Sequence, residues 1–199
     1  MTLFRHAPIC GIDEAGRGPW AGPVVAAAVI LDPERVPVGV DDSKKLSPKR
    51  RAAIFAELKE CALIGVGAAS VREIDRINIL QASYLAMRRA LAALPVAPGH
   101  ALIDGKGLPR DLPCPGEAIV GGDGSEPAIS AASIVAKVTR DRIMVALSQQ
   151  YPGYGWETNA GYGVKLHSEA LQRLGVTPHH RRSFKPVHNI LCQDHFVSH

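Results

Sequence analysis

The sequence predicts an α/β fold, with a mixed β-sheet flanked by helices and a small C-terminal helical extension. Three observations lead there. Short apolar runs rich in β-formers alternate with longer stretches of helical periodicity. The first two apolar runs are joined by a glycine-rich turn, while the later ones are interleaved with helices. After Tyr151 the texture changes to glycine, proline, tyrosine and histidine. The expected division is a main domain over residues 1–150 and an extension over 151–199.

The elements follow in order. Residues 9–12 read as a short strand, and 24–31 as a continuous apolar run typical of a buried strand, ended by Asp32-Pro33. Gly16, Gly18, Pro19 and Gly22 form the turn between them. Ser47-Pro48 supplies an N-cap and a first-turn proline for a helix to about Cys61, burying Ile54, Phe55 and Leu58. Residues 64–70 resemble a third strand. Asn78 is expected to cap the next helix, whose apolar stripe is Leu80, Tyr84, Met87, Leu91 and Leu94. Pro95 and Pro98-Gly99 close it. Short strands are expected at 101–104 and 118–120, then a long helix at 128–150 with Lys137 and Asp141 paired on one face. One short helix near 168–174 ends at Gly175.

Composition is globular: 199 residues, 46% hydrophobic and 21% charged. Aromatics, at 5%, are too few for a large base-stacking platform. The net charge of +4 suits an anionic partner without establishing one. From Lys137 onward there are eight Lys or Arg against four acids, with six of the eight histidines. Lys44, Lys45, Lys49, Arg50 and Arg51 form a second basic run. Cys10, Cys61, Cys114 and Cys192 contain no C-x-x-C pair. The opening Met-Thr-Leu-Phe-Arg-His lacks the apolar core of a signal peptide, and no stretch is long enough to span a bilayer. A cytoplasmic, monomeric protein with free thiols is expected.

Four acids stand out by position. Asp13 and Glu14 follow an apolar strand and precede a glycine turn. Asp104 ends a strand before Gly105, and Asp123 sits in Gly-Gly-Asp-Gly ahead of the long helix. Acids at strand ends can converge at one sheet edge, and hard divalent cations take oxygen ligands. Singly, Asp104 and Asp123 fit turn or cap chemistry better than a functional role. The adjacent pair Asp13-Glu14 makes a poor core feature and points to function. Gly16 and Gly18 flank Arg17, so backbone N–H groups and a planar cation lie two residues beyond the pair.

At this point the chain resembles the ribonuclease HII family, the bacterial type 2 ribonucleases H. The resemblance rests on G-I-D-E-A-G-R-G (11–18), G-P-V-V-A-A-A-V (22–29), D-S-K-K-L-S (42–47), I-N-I-L-Q-A-S (77–83), I-D-G (103–105), I-S-A-A-S-I-V-A-K-V-T-R-D (129–141), G-Y-G (161–163) and H-R-R-S-F (180–184). It implies an RNase H-like fold with a C-terminal helical extension that contributes to substrate binding. It implies an endonuclease that cuts the RNA strand of RNA–DNA hybrids. It also implies cleavage 5′ to single ribonucleotides in duplex DNA, leaving 3′-hydroxyl and 5′-phosphate ends, and a part in removing ribonucleotides from DNA. The implied cofactor is Mg2+ or Mn2+. The family's catalytic, metal-binding acids fall on Asp13, Glu14, Asp104 and Asp123. Asp123 is matched by its place before I-S-A-A-S, because the preceding loop varies in length among members. The substrate-binding residues fall on Gly16, Arg17, Gly18, Tyr162, Lys44 and Lys45. Where members usually read G-Y-G-T, Val164 follows Gly163 here, which removes one hydroxyl near Tyr162.

The expected mechanism is two-metal hydrolysis with Asp13 bridging the ions. Selectivity is expected from the 2′-hydroxyl, read by Gly16-Arg17-Gly18 and Tyr162. Lys44, Lys45, Arg181 and Arg182 are expected to meet phosphates, although a solvated surface explains any one such lysine equally well. His167, His179 and His180 match no zinc spacing and are assigned surface or packing roles. Two alternatives stay open: a related metal-dependent nuclease acting on DNA or structured RNA, and a nucleic-acid-binding module without catalysis.

Overall fold

The computed structural model describes residues 8–194. The reading of the first six residues, and the end of the C-terminal tail, therefore lie outside the described residues. Strands β1 (Ile9–Ala15) and β2 (Val24–Leu31) form the expected antiparallel hairpin, with Gly11 opposite Val29 and Ala15 opposite Val25. β3 (Ala62–Ala69) continues antiparallel from β2. β4 (His100–Asp104) and β5 (Gly116–Ile119) add in parallel on the other side, giving the order β3-β2-β1-β4-β5. The sheet is mixed, as expected.

Helices cover both faces. On one face Ile12, Ala26 and Ile30 pack against Ile74, Ala86 and Met87 of α2 (Val71–Ala92). On the other, Ala27 and Val29 pack against Leu58 of α1 (Pro48–Cys61) and against Ile134 and Val135 of α3 (Pro127–Gln150). β2 is therefore buried on both sides. That is why its sequence is an unbroken apolar run rather than an alternating one. α3 lies directly on β1: a Cβ at Gly11 would sit 2.1 Å from the Ala128 carbonyl carbon.

Two expectations for α2 fail. The helix starts at Val71, not after Asn78, because Ser70 and Glu73 form a reciprocal capping box. Asn78 interrupts it at φ 66°, ψ 166°, and its Oδ1 caps the second segment by accepting from Leu80 N (3.0 Å) and Gln81 N (3.1 Å). Of the expected stripe, Met87 and Leu91 are buried and Tyr84 and Leu94 pack against the core, beside Ala82, Ala86 and Ala90, while Leu80 is exposed. Small residues, Ala82, Ala86 and Ala90, carry much of the face turned to the sheet. By contrast, Ser47 caps α1 and Lys137 pairs with Asp141 at 2.8 Å, both as expected.

After Tyr151 come α4 (Trp156–Asn159), α5 (Lys165–Leu174) and α6 (Lys185–Asp194), more helix than the one short element expected. Trp156, Leu171 and Val187 pack with Met144 of α3 and Ala21 of the β1–β2 turn. Each fully buried large apolar side chain there contributes about 1.5–3 kcal/mol. This small core locks the C-terminal segment to the end of the sheet where β1 stops.

Candidate active site

The strand register assembles the acids. Ile12 of β1 pairs with Ile103 of β4 in parallel, and both side chains enter the α2-facing core. Strand alternation therefore sends Asp13 and Asp104 together to the α3 face. Asp13 is almost wholly buried, and burial followed by the Glu14 charge raises its pKa well above the ordinary 3.8. The Ser133 hydroxyl, one helix away, pulls the other way. Burial also raises Glu14, opposed by Arg17, whose guanidinium donates to Oε1 at 3.1 Å. Asp104 is raised by burial and then by the Asp123 charge.

Asp123 lies in a single 3₁₀ turn, Gly122–Gly124, held to α3 by Ser130 Oγ donating to the Asp123 carbonyl at 2.8 Å. Its backbone N–H donates to Asp104 Oδ1 at 3.4 Å. Its carboxylate is taken by Lys44, whose Nζ is 2.8 Å from Oδ2. That contact raises the Lys44 pKa above 10.5. Two of the four acids are thus partnered by cations, Glu14 by Arg17 and Asp123 by Lys44. Accordingly, among the described residues no three acid, histidine or cysteine side chains form a ready-made ion cage.

Asp13, Glu14, Arg17, Lys44, Asp104 and Tyr162 share one cleft of about 280 Å³. A cation fits its donor set. Glu14 Oε2 is buried with no hydrogen-bond partner, and three neighbouring carboxylates are held above their ordinary pKa by burial. A hard divalent ion relieves both conditions.

The Gly16-Arg17-Gly18 turn forms one wall. Gly16 has φ 98°, and a Cβ there would fall 1.9 Å from Arg140 Nε, so both conformation and packing require glycine. Arg181 donates to the carbonyls of Gly16 (2.5 Å), Arg17 (2.9 Å) and Gly22 (3.0 Å). In a trans peptide the N–H opposes the C=O, so the N–H groups of Arg17 and Gly18 face away from Arg181. Tyr162, half-exposed, stands against Gly18: its Cε1 is 3.5 Å from where a Gly18 Cβ would be.

Some expectations need correction. Arg181 is wholly buried and spends its donors on backbone carbonyls, so it is closed to phosphate. Local sequence does not distinguish a buried guanidinium from an exposed one. Arg182 stays exposed. Lys45 is outside the cleft, paired with Asp41 at 3.2 Å. Val164 occupies the N-cap of α5 and supplies no side-chain hydrogen bond. Sequence reasoning also missed Ser43 and Ser133, which line the cleft and join at 2.8 Å, and Arg140, which binds the carbonyls of Ala21, Pro23 and Ala160. The serines lie inside two of the quoted motifs, but nothing local marked them as neighbours.

The family model described as Ribonuclease HII matches residues 10–187. The chain belongs to the ribonuclease HII family. A ribonuclease HII of Ruegeria pomeroyi is 60% identical over 194 residues, covering 98% of this chain and 83% of that one. A second, from Cereibacter sphaeroides, is 63% identical over 190 residues, covering 96% and 90%. The crystal structure of the ribonuclease H2 from Pyrococcus horikoshii OT3 is similar in fold, with a TM-score of 0.78 at 28% identity, covering 96% of this chain and 99% of that one. Membership makes this chain a ribonuclease H-type hydrolase with the RNase H-like fold. Among the described residues no helix is long and apolar enough to cross a membrane.

Proposed function

We propose that this member of the ribonuclease HII family cuts the RNA strand of RNA–DNA hybrids and cuts 5′ to single ribonucleotides in duplex DNA, leaving 3′-hydroxyl and 5′-phosphate ends. The observation that carries the reading is one cleft holding Asp13, Glu14 and Asp104 together with the Gly16-Arg17-Gly18 turn and Tyr162, with Asp123 at its margin through Lys44 and Asp104.

Asp13, Glu14, Asp104 and Asp123 would hold divalent cations, Mg2+ or Mn2+, with Asp13 central. When bound, two such ions supply an activated water and stabilise the leaving 3′-oxygen. The chain's own residues do the rest. Asp123 becomes available once Lys44 swings from it, and Lys44, largely exposed, is then free to meet a phosphate. Arg17 and Gly18 present outward N–H groups to the ribonucleotide, while Tyr162 packs on the 2′-hydroxyl side of the junction. The segment 151–199 contributes to binding by carrying Tyr162. Four free cysteines agree with a reducing, cytoplasmic setting, where the protein acts as a monomer removing ribonucleotides during DNA replication and repair.

Cleavage of a duplex carrying one ribonucleotide, set against an all-DNA duplex, tests this. The expected result is a single Mg2+- or Mn2+-dependent cut on the 5′ side of the ribonucleotide and none in all-DNA. Equal cutting of both duplexes refutes the substrate reading. Binding without metal-dependent product refutes the enzymatic one.

A further inference from the structure

Tyr162 is held from behind by two buried histidines that the reaction does not use. His167 of α5 and His180 are both essentially unexposed. Their Nε2 atoms are 3.1 Å apart, and His167 Nδ1 is 2.9 Å from the Tyr162 carbonyl. The remaining partners fix where every ring proton lies. A carbonyl only accepts, so His167 Nδ1 carries a proton and donates to Tyr162. Trp156 Nε1–H only donates, and it reaches His167 Nε2 at 3.1 Å, so that nitrogen presents its lone pair. Thr177 N–H donates to His180 Nδ1 at 3.0 Å, leaving the His180 proton on Nε2, directed at His167. The lone pair of His167 Nε2 thus receives two donors, and the chain of bonds runs from Thr177 through His180 and His167 to Tyr162.

The Thr177 hydroxyl, 2.9 Å from His180 Nδ1, can turn either way but the Thr177 N–H cannot, so the arrangement disfavours the other tautomer and a second proton. A proton on His167 Nε2 would face two N–H donors, and one on His180 Nδ1 would face the Thr177 N–H. Burial, then the neighbouring His167 and His179, push His180 down to about 3, consistent with a neutral ring. The same pair reaches the other wall of the cleft. His180 bridges Ala21, and the next residue, Arg181, donates its N–H to the Trp20 carbonyl at 2.7 Å. Trp20 N–H in turn donates to the Gly161 carbonyl at 2.8 Å, beside Tyr162.

We propose that His167 and His180 are positioning residues: their fixed-tautomer pair sets the place of Tyr162 against Gly18, and so sets how well the enzyme recognises a single ribonucleotide. The proposal rests on the reading of Tyr162 given above. It is tested by two measurements. In the wild-type protein, long-range ¹H–¹⁵N NMR of the histidine rings at neutral pH should show His167 protonated at Nδ1 and His180 at Nε2, both neutral. The opposite tautomer at either ring, or a charged ring, overturns the proposal whether or not any variant folds.

The second measurement is kinetic. His167→Asn keeps an amide donor near the Nδ1 position, whereas His167→Gln places its amide near Nε2 and loses the donor to Tyr162. On the single-ribonucleotide duplex, His167→Gln should lose on the order of tenfold in kcat/KM, since small misplacements of a positioning group carry large rate effects. His167→Asn should recover most of that loss. In a Tyr162→Ala background, His167→Gln should add almost nothing, because it acts through Tyr162. Losses that multiply overturn the positioning role. If Tyr162→Ala alone has no effect, the substrate reading of Tyr162 falls instead.

Discussion

Gly11→Ala tests how closely strand and helix must approach for the acids to meet. A Cβ at residue 11 would lie 2.1 Å from the Ala128 carbonyl carbon and 2.3 Å from both the Ala128 oxygen and the Ile129 nitrogen. These are backbone atoms of the first turn of α3, so no side chain can rotate away. To regain van der Waals contact the turn must recede by about 1 Å or more. Overpacking of this kind costs about 3 kcal/mol, at the upper end of the usual range because backbone must move. For a chain of this size that lowers Tm by roughly 6–12 °C. The same displacement draws Ser133 from Asp13 and Asp123 from Asp104, whose N–H to Oδ1 distance is already 3.4 Å. A shift of that order in a catalytic constellation reduces turnover by about 100-fold. Differential scanning calorimetry and metal-dependent cleavage of a single-ribonucleotide duplex measure the two effects. A Tm within about 2 °C of wild type, with unchanged cleavage, would refute the claim that this contact sets the geometry of the site.

Val164→Thr supplies the missing N-cap of α5 and should stabilise the protein by about 0.5–1 kcal/mol in urea titrations; no gain means that the cap is already satisfied another way. Arg181→Met leaves the Gly16, Arg17 and Gly22 carbonyls without their donor and should cost about 3–5 kcal/mol, with loss of single-ribonucleotide cleavage; wild-type stability would contradict the clamp. Asp13→Asn should abolish cleavage yet raise stability in chelator at neutral pH. Burial and Glu14 hold the folded-state pKa of Asp13 well above 3.8, so its ionised form carries a penalty that is full only above that raised value. That penalty fades as pH falls through the raised value. Melts over a descending pH series should therefore show the advantage of the variant shrinking towards the ordinary carboxylate range, and a constant advantage would reject this cause. Lys44→Ala should lower the slope of log affinity against log salt by about one phosphate contact, measured on a hybrid duplex with Ca2+ in place of the catalytic metal; an unchanged slope removes Lys44 from the phosphate contacts.

What the sequence made legible follows from local chemistry. The antiparallel hairpin was readable because its apolar runs and glycine turn are contiguous. Asp13 and Glu14 stood out as an adjacent acidic pair after an apolar strand, whereas Asp104 and Asp123 read singly as turn or cap residues and joined them only through the family resemblance. What stayed hidden depends on contacts between distant segments. Lys44 meets Asp123 across 79 positions, and Arg181 meets Gly16 across 165, so neither partner announces the other. Arg181 was misassigned because its H-R-R setting looks basic and exposed, whereas its neighbours in space are carbonyls. Asn78 was recognised as a cap, but the capping box at Ser70 had already begun the helix, and only the positive φ of Asn78 reconciles the two. Leu80 was misplaced because the buried face is carried largely by alanines, Ala82, Ala86 and Ala90, which a stripe of large apolar side chains does not reveal.

The Arg181 clamp also bears on how the protein is made. Ribosomes deliver residues in order, and domains generally fold as they emerge, from the N-terminus. The five strands and α3 are complete by Gln150, so the carboxylates can gather while the chain is still being extended. The Gly16 and Arg17 carbonyls must then wait for Arg181, and His167, which donates to the Tyr162 carbonyl, is made before its own partner His180. The edge that carries the acids therefore precedes the wall that carries Tyr162 in the order of synthesis. A nascent chain stalled after Gln150 would carry the acids without that wall beside them. Late closure of the Arg181 contacts is the step that fixes the Gly16-Arg17-Gly18 turn next to the acids.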